Sequence, residues 1–389
     1  MLKLDAMCMV GSAGANVGKT ELVCALIKRL SENREIVGIK VTTIKAKDGQ
    51  CPRGGRGCGV CSSLDGDFCI TEEGSHEAEF QTDSNPRKDT ARLLAAGASR
   101  VFWLRVMKTH LQDGLTALLD IIGPDAVSIC ESNSLRHVVE PGLFIMVKRQ
   151  GQKLWKSSAR DVKKYVDEIV TSTSSGFDFD ISRIKFVDGK WVIKQLATAI
   201  ILAGGDSARI GQDKSMLPIN GQPMIKCIVE QLIPYFDQIL ISSNDVPKYS
   251  FLGVEVVPDK IAGWGPLMGI ASALKVSRSE VNFVIASDIP EIDIAFVRTM
   301  LRQAESYDAV VPKTGPSRYE PLFAVYRKDT LAAIEDALSL GKHRIMDAFG
   351  RCKVKYIDFS RTGTGRLRNL NTMNDYLEFV KRGKNDIDV

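Results

Sequence analysis

Two short stretches of this 389-residue sequence place glycines, a lysine and hydroxyl groups directly after an apolar run. The first is Gly14-Ala15-Asn16-Val17-Gly18-Lys19-Thr20, between the strand-like Ala6–Val10 and the helical pattern Lys19–Leu30. Such a loop can cradle a phosphate: main-chain N–H groups around Gly14 and Gly18 and at the helix start face the anion, Lys19 adds a point charge, and Thr20 offers a hydroxyl to Mg²⁺. The pattern G-x-x-x-x-G-K-[ST] asks for glycine at position 13, where this chain has Ala13. The second stretch runs from Leu202 through Ala203, Gly204, Gly205 and Arg209 to Lys214, after the apolar Thr198–Leu202. A strand that ends in small residues lets a base and ribose approach the main chain of Leu202, Ala203, Gly204 and Gly205, and Arg209 and Lys214 then arrive where a triphosphate would lie. That chemistry suits nucleotidyl transfer, because the α-phosphate gains negative charge under attack and the departing pyrophosphate must be neutralised.

A third feature is Cys51-x6-Cys58-x2-Cys61-x7-Cys69, set among glycines straight after the second expected strand. Four thiolates can close a tetrahedral shell for Zn²⁺ or hold an iron–sulfur cluster. A redox pair at Cys58 and Cys61, or ordinary loop thiols, are the other readings of the same residues. The remaining cysteines, Cys8, Cys24, Cys130, Cys227 and Cys352, stand singly in apolar surroundings as small hydrophobes.

The elements that must position these groups alternate between strand and helix in both halves. The front half reads as strands Ala6–Val10, Ile36–Thr42, Arg100–Arg105, Ala126–Cys130 and Leu143–Val147, with helices near Lys88–Ala96 and His110–Ile122. The rear half reads as strands Thr198–Leu202, Gln238–Ser242, Val254–Val257, Asn282–Ala286, Ala309–Pro312 and Leu322–Tyr326, with helices from Pro223 and near Leu267–Leu274, Ile294–Ala304 and Lys328–Ala337. The alternation predicts two α/β domains over 1–147 and 196–389, each a parallel sheet covered by helices in three layers; the two loops and the resemblances that follow imply a P-loop NTPase-like domain for the first, carrying the Cys-rich insertion 51–69, and a Rossmann-like nucleotidyltransferase domain for the second. Residues 148–195 are expected to be a connector, with a short helix near Ala159–Val170 and a hairpin turning at Asp188-Gly189.

Residues 1–147 resemble the small GTP-binding adapter protein of molybdopterin-guanine dinucleotide biosynthesis. The likeness rests on the front loop, on Val37-Gly38-Ile39-Lys40, and on Lys88-Asp89-Thr90-Ala91-Arg92 running into Ala95-Ala96-Gly97-Ala98; Glu131-Ser132-Asn133 stands where the family usually has Glu-Gly. The rear half closely resembles molybdenum cofactor guanylyltransferase through the second loop with Pro218 and Gly221-x-Pro223, Ser242-Ser243-Asn244, Asp259 ahead of Gly263-x-Gly265-Pro266-Leu267-Met268-Gly269-Ile270, Ser287-Asp288-Ile289-Pro290, and Asn369-Leu370-Asn371-Thr372. The resemblance implies transfer of GMP from GTP to the terminal phosphate of molybdopterin or Mo-molybdopterin. It gives Asp288 the role of Mg²⁺ ligand, Arg209 and Lys214 that of phosphate binders, and Asn244 and Asp259 contacts to guanine or ribose. Leu202-Ala203-Gly204-Gly205 favours guanine, since related cytidylyltransferases more often show Leu-Ala-Ala-Gly; a sugar-phosphate acceptor is the other reading of the fold. A fused adapter further implies delivery to molybdoenzyme apoproteins and contact with other cofactor-biosynthesis proteins.

Composition fits this reading. Hydrophobic residues make up 44% and charged residues 25%, as in globular domains, and a net charge of +5 spread over the whole length gives no basic stripe for nucleic acid. The longest apolar runs fall short of the ~18 residues of a membrane span, and with no export signal a cytoplasmic, membrane-free protein is expected.

Overall fold

A computed structural model describes residues 1–44, 64, 66–74, 89–204, 213–359 and 367–385. The chain divides into two compact units, Met1–Ile193 and Lys194–Val389. Each is built on its own sheet.

In the front unit the first strand, Leu2–Ser12, is buried from Ala6 onward on both faces, as a central parallel strand must be. It lies between the parallel strands Ser128–Glu131 and Val139–Arg149, with Val37–Ile44 and then Arg100–Met107 beyond the former. One face packs on Leu22, Leu26 and Ile27 of helix Lys19–Leu30, and the other on Leu111, Leu115 and Leu118 of helix Leu111–Ile122. Three layers result.

Two parts of this unit depart from expectation. Phe68–Glu72 adds an antiparallel edge strand against Arg100–Met107, so the sheet is mixed rather than purely parallel. The helix expected near Ala159–Val170 is instead a single turn at Ser157–Arg160, a 3₁₀ turn at Lys163–Tyr165 and a strand, Glu168–Thr173, parallel to Val139–Arg149. The spacing of Ala159, Val162, Val166 and Val170 imitates a helical stripe. Ile169, Val170, Thr171 and Thr173 are β-branched, however, and pairing with an open sheet edge outweighs that stripe. The hairpin forms as the turn residues dictate: Asp188 and Gly189 have φ of 48° and 78°, both positive as a type I′ turn requires. It seats Trp191 in the core, with Nε1 donating to the Ala6 carbonyl at 2.8 Å. By contact, then, residues 148–193 belong with the front unit.

The rear unit orders its strands Glu255–Val257, Phe236–Ser242, Gln195–Leu202, Val281–Ala286, Phe323–Arg327, Ala309–Gly315 and Arg318–Tyr319, with Val354–Asp358 also on Ala309–Gly315. The first four run parallel. Phe323–Arg327 is antiparallel to both its neighbours, again correcting the purely parallel expectation. The chain from Gly315 to Phe323 is too short for the crossover that a parallel pair needs. Helices Met224–Leu232 and Ile294–Gln303 cover one face, and Pro266–Val276 and Thr330–Ser339 the other. Because the chain leaves Gln195–Leu202 first toward Phe236–Ser242 and later returns on its other side as Val281–Ala286, the carboxyl ends of Gln195–Leu202 and Val281–Ala286 form the switch point where such sheets bind ligands.

Candidate functional site

In the front unit the strand register sets Val10 and Lys40 on either side of Glu131. Lys19, at the start of its helix, reaches Glu131 with Nζ 2.8 Å from Oε1, and the Lys40 ammonium pairs with both Glu131 and Asp89. The Thr20 hydroxyl donates to Glu131 Oε2 at 2.9 Å, with Asp89 Oδ1 at 3.3 Å. Two ammonium groups thus share two carboxylates, and Glu131 is 1% exposed. Burial pushes the Glu131 carboxyl up, but Lys19 and Lys40 together outweigh it and hold the group down at about 2. Burial also pushes the Lys19 ammonium down, and Glu131 offsets only part of this.

The loop ahead of Lys19 is fixed by main-chain and side-chain contacts. Ala13 N donates to the Val147 carbonyl at 2.8 Å, Arg149 Nη2 to the Asn16 carbonyl at 2.7 Å, and Lys156 Nζ to Ser12 Oγ at 3.1 Å. Gly18 has φ of 88°, which favours glycine, and a Cβ on Gly14 would come within 2.8 Å of Gln152 Nε2. Ala13 itself is fully buried and adopts no left-handed conformation, so the missing glycine of the pattern costs no backbone strain.

In the rear unit, a cleft of about 430 Å³ opens beside the switch point, bounded by Leu202, Gly204, Asn244, Asp259, Lys248 and Gly265. Asn244 and Asp259 hold each other: Asn244 Nδ2 donates to Asp259 Oδ2 at 3.0 Å, and Asp259 N to Asn244 Oδ1 at 2.8 Å. Burial pushes the Asp259 carboxyl up and Asn244 draws it partly back. Helix Pro266–Val276 approaches so closely that a Cβ on Gly269 would meet Ser242 Oγ at 2.6 Å. Only glycine leaves this cleft wall in place.

Asp288 follows the strand Val281–Ala286, and Ser287 N donates to the Leu202 carbonyl at 3.0 Å, which fixes it to the end of the neighbouring strand. Lys214 Nζ lies 3.9 Å from Asp288 Oδ2. Asp288 Oδ1 is buried with no hydrogen-bond partner among the described residues, and burial pushes its carboxyl up against the pull of Lys214. The C-terminal segment joins here, since Leu370 N donates to the Asp288 carbonyl at 2.9 Å and Asn369 Nδ2 to Glu320 Oε2 at 3.3 Å. Burial and the Asp288 charge both push Glu320 up. A partnerless carboxylate oxygen beside a second carboxyl group is a donor set that fits a hard cation.

Of the residues singled out from sequence, Leu202, Ala203, Gly204, Asn244 and Asp259 line one cleft, and Lys214 and Asp288 face each other next to it. Gly14, Gly18, Lys19 and Thr20 gather around Glu131 or the loop before it. Gly205, Arg209, Cys51, Cys58 and Cys61 lie outside the described residues. Cys69 is on the edge strand Phe68–Glu72, opposite Arg105, whose Nη2 donates to its Sγ at 3.1 Å. No group of three or more metal-ligating side chains occurs among the described residues. His343 packs edge-on against Trp264, with ring centroids 4.9 Å apart. Asp213, Lys248 and Tyr249 line the same cleft and Glu320 lies beside Asp288, none of them marked by a motif; only Asp213, next to Lys214, had a local signal.

Residues 199–354 match the family model of the MobA-like NTP transferase domain. A protein of Carboxydothermus hydrogenoformans named "Probable molybdenum cofactor guanylyltransferase" is 35% identical over 192 residues, covering 48% of this chain and 96% of that relative. One of Syntrophotalea carbinolica, named molybdenum cofactor guanylyltransferase, is 32% identical over 195 residues, covering 49% and 93%. Among solved structures, molybdopterin-guanine dinucleotide biosynthesis protein A of Archaeoglobus fulgidus is 23% identical, with a TM-score of 0.43 over 48% of this chain and 99% of that one. The rear half is a nucleotidyltransferase domain. Through it, the chain belongs to the MobA-like NTP transferase family.

Proposed function

We propose that the rear unit transfers GMP from GTP to the terminal phosphate of molybdopterin or Mo-molybdopterin, forming the guanine dinucleotide and releasing pyrophosphate. The observation that carries this is the Lys214–Asp288 pair at the switch point, beside a cleft lined by Leu202, Ala203 and Gly204. A phosphate oxygen of the acceptor attacks the α-phosphorus of GTP, a P–O bond forms, and the bond to the pyrophosphate leaving group breaks. Lys214 neutralises charge that grows on the phosphates during this exchange, and Arg209 is assigned the same task. The main chain from Leu202 to Gly205, with Asn244 and Asp259, receives the base and ribose. Asp288 would hold Mg²⁺, which when bound screens the phosphate oxygens.

In the same reading the front unit is a fused adapter that binds GTP through Gly14, Gly18, Lys19 and Thr20, with Thr20 toward Mg²⁺, in a P-loop NTPase-like fold. Glu131 then serves as the counter-charge that holds Lys19 until a phosphate competes for it. Cys51, Cys58, Cys61 and Cys69 are assigned one metal centre, of Zn²⁺ or iron–sulfur type. The test of the transfer reaction is product analysis of the full chain with Mo-molybdopterin, Mg²⁺ and GTP, CTP or ATP in turn. Guanine dinucleotide and pyrophosphate are expected from GTP; a cytosine dinucleotide as the main product would reassign the base, and transfer only to a sugar phosphate would reassign the acceptor.

A further inference from the structure

Tyr249 is fully buried at the base of the nucleotide cleft, and its ring belongs to the core beneath the sheet. Besides the Ser243 side chain, its hydroxyl touches two separated parts of the chain. It donates to the Ala203 carbonyl at 3.0 Å, just past the end of strand Gln195–Leu202, and it lies 3.0 Å from the hydroxyl of Ser215 in the 3₁₀ turn Lys214–Met216. Ser215 Oγ in turn donates to Asp213 Oδ1 at 2.8 Å, Ser215 N donates to the same oxygen at 2.9 Å, and the Asp213 carboxylate pairs with Lys248, the neighbour of Tyr249. Lys214 therefore sits between two residues, Asp213 and Ser215, that are both fastened to the segment Lys248-Tyr249.

Ser215 and Tyr249 own one hydroxyl hydrogen each, and the Ser215 hydrogen is committed to Asp213. The Tyr249 hydroxyl is then shared between the Ala203 carbonyl and Ser215 Oγ, with the Ser243 side chain also hydrogen-bonded to it. In a buried site an acceptor left without a donor is costly, so both acceptors are kept close to this one hydroxyl.

We infer that Tyr249 is a positioning residue for Lys214: its hydroxyl ties the turn that carries Lys214 to Ala203 in the nucleotide cleft, so that the lysine ammonium meets the phosphates in register with the bound base. This rests on the transfer reading of the rear unit. Removing the hydroxyl alone leaves the ring to fill its cavity, so Tyr249→Phe separates positioning from packing.

The experiment compares wild type, Tyr249→Phe, Lys214→Ala and the double variant as full chains, each first shown to be folded by circular dichroism. Tyr249→Phe is expected to lower kcat by about tenfold or more while leaving KM for GTP within about twofold, since a misplaced cation weakens transition-state binding more than ground-state binding. In the Lys214→Ala background the same change is expected to cost nothing further, because coupled residues are non-additive. Acetic anhydride labelling of Lys214, read by peptide mass spectrometry, is expected to rise severalfold in Tyr249→Phe. Unchanged kcat in the folded variant, or fully additive losses, overturns the inference. If wild type transfers no nucleotide, the transfer reading fails by itself, and the labelling decides the placement of Lys214: equal labelling of the two proteins overturns it.

Discussion

The two glycine loops share a grammar of strand, loop and lysine, yet their lysines meet opposite electrostatic surroundings. Lys19 is locked against Glu131 at 2.8 Å, within a network that also includes Lys40, Asp89 and Thr20. Lys214 stands 3.9 Å from Asp288, whose second oxygen has no partner among the described residues. In the front site Glu131 and Asp89 already answer Lys19 and Lys40, so a phosphate bound there, as proposed, would compete with Glu131 for Lys19. In the rear unit charge is left for a substrate and a cation to complete. Matching motifs therefore do not imply matching tasks: the first arrangement suits a site that holds or releases a nucleotide, the second a site that stabilises charge as it develops.

The largest effect should come from opening that rear pair. Asp288→Ala and Lys214→Ala are each expected to slow nucleotidyl transfer on the order of 10²–10³-fold, with unfolding midpoints near wild type, because both side chains act on phosphate charge rather than packing. Steady-state kinetics on the folded variants checks this, and near-normal turnover by either would remove that residue from the site.

A smaller effect should come from the closed front network. Glu131 is held at about 2, below its ordinary 4.5, so the stability it contributes is complete above about 4.5 and is lost as pH falls toward 2. Glu131→Gln leaves Lys19 buried without its carboxylate and should lower the thermal midpoint at neutral pH. The gap between wild type and variant should then narrow between about pH 4.5 and 2. A gap that stays constant over that range would show that Glu131 is not charged against Lys19 and Lys40.

The smallest effect is expected from the cysteines. With Cys51, Cys58, Cys61 and Cys69 in the front half and the transferase motifs more than a hundred residues further along the sequence, Cys58→Ser should leave guanylyl transfer within about twofold. Metal analysis of anaerobically purified protein should find Zn²⁺ or iron in wild type, held less tightly on acidification because thiolates must be deprotonated to bind. Metal-free protein with four freely titratable thiols would abolish the proposed centre, and loss of transfer in the folded variant would erase the contrast between the two halves.

The sequence carried the local signals well. Helix Lys19–Leu30 has the bounds expected of it, and Asp188-Gly189 turned its hairpin because an Asp-Gly pair tolerates two positive φ values in succession. The apolar run at Thr198–Leu202 and the residues Lys214, Asn244, Asp259 and Asp288 were also legible, being attached to recognisable loop or strand-end patterns. What stayed hidden depends on distant pairing. Glu168–Thr173 became a strand through the edge offered by Val139–Arg149, and Phe323–Arg327 took its direction from the short return after Gly315. Tyr249 and Glu320 reach the site through contacts with Ala203 and Ser215, and with Asn369, across dozens of residues of chain. Nothing in their immediate neighbours distinguishes them from ordinary core or surface residues.

The contrast between a closed front site and an open rear site is tested most directly by titrating the full chain with Mg²⁺ and GTP in a calorimeter, for wild type and Lys19→Ala, alongside transfer assays. Two GTP sites per wild-type chain are expected, with one remaining in Lys19→Ala and guanylyl transfer by that variant at the wild-type rate. A single site in wild type, or loss of transfer in folded Lys19→Ala, would contradict the division of labour between the two loops.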